Sequence, residues 1–116
     1  MRIQLVRIAH ARGGDKGDKA DLGLFAYDEA TYAVLKREVT ASRVAAHFAG
    51  LATGAVDRYE LDNLLALKFV LHGALDGGAA RSLRSDNLGK SLAAGLLRMC
   101  IEVPDDLPIR HDDALA

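Results

Sequence analysis

The residues at positions 7–23 are the first candidates for chemistry. They read RIAHARGGDKGDKADLG and combine glycines with acidic and basic side chains between two strand-like segments. Glycine permits a positive φ and a close backbone approach, so consecutive N–H groups could form an anion-binding nest, with charge added by nearby cations. A polar turn whose carboxylates bond backbone amides is the alternative. The candidate residues here are His10, Arg12, Gly14, Asp15, Lys16, Gly17 and Asp18.

Several familiar sites are excluded for the same stretch. It lacks the Ser or Thr that follows Gly-Lys in a P-loop, and it leads into a strand rather than into a helix. It is not a dinucleotide-binding fingerprint either. Asp15, Asp18 and Asp21 stand three apart, unlike the alternating oxygen ligands of a calcium-binding EF-hand loop. The histidines show no zinc-ligand spacing, so we expect neither a metal nor a cofactor.

A second candidate anion site lies at positions 77–90, which read GGAARSLRSDNLGK. Ser85 or Asp86 is predicted to cap a helix that runs to about Met99. A helix N-terminus with cations beside it attracts phosphate or carboxylate, whereas helix capping alone is the simpler alternative. The candidate residues of this segment are Arg81, Arg84, Asp86 and Lys90.

Length and composition favour one soluble domain. The chain has 116 residues, half of them hydrophobic, and a net charge of −1. We expect residues 1–104 to form one domain and residues 105–116 a polar, loosely ordered tail. The balanced charge gives no sign of a nucleic-acid partner, and no apolar run reaches the roughly 20 residues of a membrane span. No signal segment for export opens the sequence, so we expect a cytoplasmic protein.

Strands and helices are predicted to alternate along the chain. Asp28 and Thr40 are the predicted N-caps of two helices, and the second has the apolar spacing of an amphipathic helix. Positions 61–75, LDNLLALKFVLHGAL, are apolar nearly all round and predict a buried helix with Asn63 as a candidate cap, on which Lys68 and His72 share the polar stripe. The predicted strands lie at positions 2–9, 20–27, 55–60, 79–83 and 100–103.

The connection between the first two predicted strands spans positions 11–19. It is longer than the two to five residues that a hairpin connection usually needs, which favours a functional loop. Because a loop joins these two strands while later strands alternate with helices, we expect an α+β fold. Its sheet is predicted to be mixed or antiparallel, with the helices on one face.

The ordered motifs resemble the small C-terminal module of the AtuA family, the acyclic terpene utilisation family. The resemblance is carried by A-H-A-R-G-G-D-K-G, by R-Y-E-L-D-N, and by G-G followed by S-L-R-S-D-N-L-G-K, and it covers Ile3 to about Pro104. The sequence departs from the family pattern at Asp21 and Lys68, where asparagine is usual. It also departs at Asp62, where proline is usual.

This resemblance implies a ferredoxin-like two-layer α+β sandwich and a role in the catabolism of branched or terpenoid acids carried as CoA thioesters. It implies no catalytic residues. In longer family members a large domain precedes the module, whereas Met1 here opens directly onto the first strand. We therefore expect an accessory subunit of a larger AtuA-like protein, with an anion-binding loop for a CoA thioester. Two alternatives stay open: a small enzyme that acts alone on acyl-CoA thioesters through His10, Asp15 or Lys16, and a purely structural homo-oligomer.

Overall fold

The computed structural model describes residues 1–16, 19–49, 54–73 and 88–109. Within these ranges the chain forms short and long strands, three helices, and single 3-10 turns at Leu5–Arg7 and Asp62–Leu64. The strands are β1 (Arg2–Gln4), β2 (Ala9–Lys16), β3 (Lys19–Ala26), β4 (Val56–Leu61), β5 (Ala66–His72) and β6 (Cys100–Glu102). The helices are α1 (Glu29–Glu38), α2 (Ala41–His47) and α3 (Leu88–Leu97).

Four of the strands form an antiparallel sheet in the order β2-β3-β5-β4. Strands β2 and β3 stay paired as far as Lys16 opposite Lys19, and the centre of the sheet pairs Leu22 of β3 with Phe69 of β5. Strands β1 and β6 form a separate antiparallel pair, in which Ile3 lies opposite Ile101. The expectation of an antiparallel sheet in an α+β fold agrees with this arrangement.

The two predicted helix caps are confirmed. The Asp28 carboxylate accepts a hydrogen bond of 2.8 Å from the backbone N–H of Thr31, at the start of α1. The Thr40 hydroxyl accepts one of 3.2 Å from the backbone N–H of Arg43, at the start of α2. Each cap satisfies a donor that the first turn of a helix leaves without a partner in the helix.

The core lies between the helices and one face of the four-stranded sheet. Successive strand residues point to opposite faces, and on one face Leu22, Leu24, Leu67, Phe69 and Leu71 are fully buried. Helix α1 packs on β3 and β5, α2 packs on β4, and α3 packs on β2 and β3. In the part of the chain that the structure describes, the helices therefore cover this face alone, as the sequence predicted. No helix in that part is long and apolar enough to cross a membrane.

The predicted buried helix at positions 61–75 is wrong. After β4 ends at Leu61, a 3-10 turn leads into β5, a central strand between β3 and β4. A strand covered on one face and partly covered on the other is apolar at most positions, and such a run is easily mistaken for a buried helix. Asn63 consequently lies in the turn and caps no helix.

The predicted long loop at positions 11–19 is also wrong. Strand β2 continues to Lys16 and β3 begins at Lys19, so Gly13 and Gly14 are strand residues. Glycine is rare in strands, which is why its presence here predicted a loop. The strand expected at positions 2–9 is likewise interrupted by the 3-10 turn that separates β1 from β2.

Some expectations fall outside the described residues, among them the strand at positions 79–83 and the cap at Ser85 or Asp86. Strands β3, β4 and β6 lie where the sequence predicted strands. In the predicted tail, Leu107 is buried and belongs to the hydrophobic core.

Candidate functional site

The sheet face opposite the helices carries three of the candidate residues of β2. We call it the open face and define it by the residues that the strand register places on the side away from the helices. They are His10, Arg12 and Gly14 from β2; Lys19, Asp21, Gly23 and Phe25 from β3; Ala66, Lys68, Val70 and His72 from β5; and Asp57, Tyr59 and Leu61 from β4.

The register of the strands sets two cations on either side of a glycine. Arg12 lies opposite Gly23, and Gly23 lies opposite Lys68, so the three form one row across β2, β3 and β5. The next row along the strands contains Phe25 opposite Ala66, and Ala66 lies opposite Leu61. A charged row and an apolar row are therefore neighbours on the open face.

An open pocket of about 280 Å³ lies over these two rows. Its polar side chains come from the row of Arg12 and Lys68 and from the row of Gly14 and Asp21 next to it. Its apolar side chains come from the row of Phe25, on the other side of the charged row. The side chains that give the pocket its character are Arg12, Asp21, Lys68, Phe25, Leu61 and Ala66.

Two glycines leave room for this pocket. A Cβ atom built on Gly14 would meet no heavy atom within 4 Å. A Cβ atom on Gly23 would lie 2.9 Å from Cε1 of Phe25, so the Phe25 ring lies against the backbone of Gly23. The absence of side chains at these two positions lets the strand backbone form part of the pocket surface.

The Phe25 ring is supported from β2. The rings of His10 and Phe25 stack with their centroids 5.0 Å apart and their planes 9° apart, and the Tyr27 ring lies 5.3 Å from that of His10. Nδ1 of His10 is buried, with no hydrogen-bond partner in the described ranges. His10 thus packs behind the aromatic wall of the pocket, and it is absent from the pocket lining itself.

The pocket carries an internal ion pair and one further cation. Nζ of Lys68 lies 3.0 Å from Oδ2 of Asp21. Arg12 is exposed and forms no ion pair with any residue that the structure describes. The two side chains of this pair neutralise each other's charge.

Asp62 begins the 3-10 turn before β5 and contacts helix α1 through Tyr32. The Tyr32 hydroxyl donates to Oδ1 of Asp62 at 2.6 Å and lies 3.1 Å from the carbonyl oxygen of Ala66. Burial, followed by the bond to Asp62, raises the pKa of Tyr32 to about 12. The same hydrogen bond is the main cause that lowers the pKa of Asp62, and Lys36 adds to it. Tyr32 therefore links α1 to the beginning of β5.

A histidine and an aspartate form a second side-chain pair elsewhere on the open face. Nε2 of His72 and Oδ2 of Asp57 are 2.7 Å apart. These side chains do not line the pocket. Among the described residues, no group of three His, Cys, Asp or Glu side chains is positioned to hold a metal ion.

The structure brings together only part of the predicted site. His10, Arg12 and Gly14 lie on the open face, and the backbones of Asp15 and Lys16 complete the pairing of β2 with β3. Lys90 belongs to α3, which packs on the covered face. Candidates outside the described residues are Gly17, Asp18, Arg81, Arg84 and Asp86.

Sequence reasoning missed the residues that complete the pocket from the central strands. Phe25, Ala66 and Lys68 were not selected, although the alternation of Leu67, Phe69 and Leu71 with their neighbours is the signal of a strand. A strand period at these positions predicts Lys68 in register with residues of the neighbouring strands, which the helix prediction did not.

Comparison with known protein families identifies a family to which this chain is similar. Neither the curated proteins nor the solved structures contain a match to this chain. The family model of the AtuA ferredoxin-like domain matches residues 3–102, which is most of the chain. This match confirms the ferredoxin-like α+β fold that the resemblance implied, and its range includes all four strands of the large sheet and, except for Arg2, both strands of the small one. The chain therefore belongs to the AtuA ferredoxin-like domain family.

Proposed function

We propose that this chain is a cytoplasmic accessory module that binds a larger AtuA-like protein and takes part in the catabolism of acyl-CoA thioesters. Its contribution is a binding site on the open face for an anionic, partly apolar ligand. The observation that carries the proposal is the row of Arg12, Gly23 and Lys68 beside the apolar side chains of Phe25 and Leu61.

The chemistry of this pocket suits an acyl compound. Cations attract the negative group of a ligand, and an aromatic and aliphatic wall takes up its hydrocarbon part. Small-molecule pockets usually enclose about 300–1,000 Å³ and bury most of the ligand surface. At about 280 Å³ and open to solvent, this pocket lies just below that range. A second protein surface over the open face would complete the enclosure, which supports an accessory role.

The geometry does not support His10 as the acid–base residue of a small enzyme that acts alone. Of the acid–base residues that the sequence suggested, His10 has its ring stacked on Phe25 and stands outside the pocket lining. An acid–base group must come within hydrogen-bond reach of the reacting atoms. We therefore assign His10 a supporting role in the pocket rather than proton transfer.

The test is to express this chain together with the larger AtuA-like protein of its own organism. Size-exclusion chromatography should then recover the two chains as one complex. Recovery of this chain as a homo-oligomer, with the larger protein eluting separately, would refute the accessory role and favour the structural alternative.

The same complex tests the open face. The Gly14→Val substitution projects an aliphatic side chain into open space, so it should reduce the binding of an acyl-CoA thioester while leaving the complex assembled. Arg98→Gln is the matched control, because Arg98 is exposed at the end of α3 and away from the pocket. Equal thioester binding by the Gly14→Val variant and the unaltered complex would show that the ligand uses another surface.

A further inference from the structure

We infer that the pocket on the open face recognises an aliphatic monocarboxylate: one carboxylate group held by Arg12, attached to a compact apolar body that lies against Phe25 and Leu61. The inference rests on the proposed function: it takes the anionic, partly apolar ligand proposed for this pocket and identifies it as a free carboxylic acid. No comparison assigns a ligand to this face.

The charge of the pocket matches a single negative charge. Lys68 is neutralised by Asp21 at 3.0 Å, whereas Arg12 has no ion-pair partner among the described residues. The pocket therefore has one net positive charge, and a carboxylate compensates it. A phosphate group, with a charge of about −1.5 to −2 near neutral pH, would leave an excess of negative charge beside Asp21.

The guanidinium group of Arg12 is also well suited to bind a carboxylate. A guanidinium group is planar and offers parallel N–H donors that match the two oxygens of a carboxylate. Arg12 projects from a strand, and strand backbone is held in place by its ladder of hydrogen bonds on β3. Lys68 stays within the same row and supports the carboxylate as a second, partly neutralised cation.

The apolar body of the ligand must be close to its charge. Arg12 and Phe25 occupy neighbouring rows, which are two residues apart along a strand and thus about 7 Å apart. In a CoA thioester a long neutral arm separates the phosphates from the acyl group, so one small pocket cannot hold both. In a short aliphatic acid, the carboxylate and the hydrocarbon are directly bonded.

The open space between the rows supports the same conclusion. A side chain at Gly14 would meet no protein atom, and the Phe25 ring is fixed by His10 on one side and by the backbone of Gly23 below. The pocket therefore keeps its shape without a ligand, which reduces the entropy lost on binding.

The test is isothermal titration calorimetry of the full chain, with hexanoate as the probe. Hexanamide has nearly the same shape but no charge, and inorganic phosphate has charge but no hydrocarbon. Hexanoate should bind at one site, hexanamide should bind roughly tenfold or more weakly, and inorganic phosphate should not bind. Butanoate and octanoate then measure the length of the apolar part.

Three variants locate the site. Arg12→Gln should weaken hexanoate binding roughly tenfold or more. Asp21→Asn removes the carboxylate that neutralises Lys68, so it should strengthen hexanoate binding. Arg98→Gln is the control and should leave the affinity unchanged, and thermal melting of each variant verifies that it is folded.

The outcomes separate this inference from the proposed function. Equal binding of hexanoate and hexanamide, or an unchanged affinity in Arg12→Gln, would overturn the inference. Binding of hexanoyl-CoA without binding of hexanoate would also overturn it, while the accessory role on a thioester would stand. Hexanoate binding by a chain that never associates with the larger AtuA-like protein would uphold the inference and refute the accessory role.

Discussion

Two glycines on adjacent strands should respond differently to the same substitution. Gly14 and Gly23 both belong to the open face, but a Cβ at Gly14 meets nothing within 4 Å, whereas one at Gly23 lies 2.9 Å from Cε1 of Phe25. We expect Gly14→Ala to stabilise the fold and Gly23→Ala to lose that gain. The comparison tests whether the Phe25 ring is held over the backbone of β3.

The magnitudes follow from these contacts. Replacing a strand glycine with alanine removes conformational freedom from the unfolded chain and raises the free energy of unfolding by about 0.5–1 kcal/mol. At Gly23 the new methyl group must displace the Phe25 ring. An off-rotamer ring costs about 0.5–1.5 kcal/mol, and the loss of its stacking with His10 costs a similar amount. The two variants should therefore differ by about 1–3 kcal/mol.

Urea unfolding at fixed pH measures this difference, since a change in midpoint at constant slope is a change in stability. The Phe25→Leu variant supplies the matched background, because it removes the ring that opposes the methyl group. In that background Gly23→Ala should stabilise the chain as much as Gly14→Ala does. If Gly23→Ala already stabilises the unaltered chain as much as Gly14→Ala, the ring is not held at Gly23 and the reasoning fails.

Two further predictions concern α1. Because burial and Asp62 raise the pKa of Tyr32 to about 12, the folded chain keeps the phenol proton to a higher pH than the unfolded chain. This stabilisation is complete below the ordinary tyrosine pKa of about 10 and is lost as the pH rises toward about 12, so Tyr32→Phe should flatten the decline in urea midpoints over that interval. Asp28→Ala should lower the free energy of unfolding by about 1 kcal/mol, because the N–H of Thr31 loses its acceptor. Thermal melting checks this loss against Asp106→Ala at an exposed turn, and equal melting of the two variants would contradict it.

Features that depend on neighbouring residues were predictable from the sequence. The caps at Asp28 and Thr40 require only a side-chain oxygen and a backbone N–H three residues later. Strand β4 was also predictable, because its strand-like residues lie together in the sequence and lead directly into a turn. For the same reason the α+β class was accessible, since it follows from the succession of strands and helices.

The identity of β5 was not accessible in this way, because it depends on what covers the segment. Residues Lys68 and His72 share one face whether the segment is a helix or a strand, since positions i and i+4 coincide in both periods. Their shared face was therefore predicted correctly from an incorrect element. The choice between the two was decided by pairing with β3 and β4, which are distant in sequence.

The pocket could not be predicted from the sequence for the same reason: its residues come from strands that are distant in sequence. Arg12 was selected from its local glycine-rich context, but its partners in the row come from β3 and β5. The ion pair between Asp21 and Lys68 joins residues that are 47 positions apart in the sequence. Strand register brings such residues together, and register is set by the packing of the whole sheet.

The pairing of Ile3 in β1 with Ile101 in β6 closes a loop of nearly the whole chain. Bringing together two points separated by about 100 residues costs roughly 4 kcal/mol of chain entropy by the logarithmic loop-closure relation. Ile3 and Ile101 are 4% and 0% exposed, and burying each contributes about 1.5–3 kcal/mol. Two isoleucine side chains thus offset the entropic cost of joining the first strand to the last.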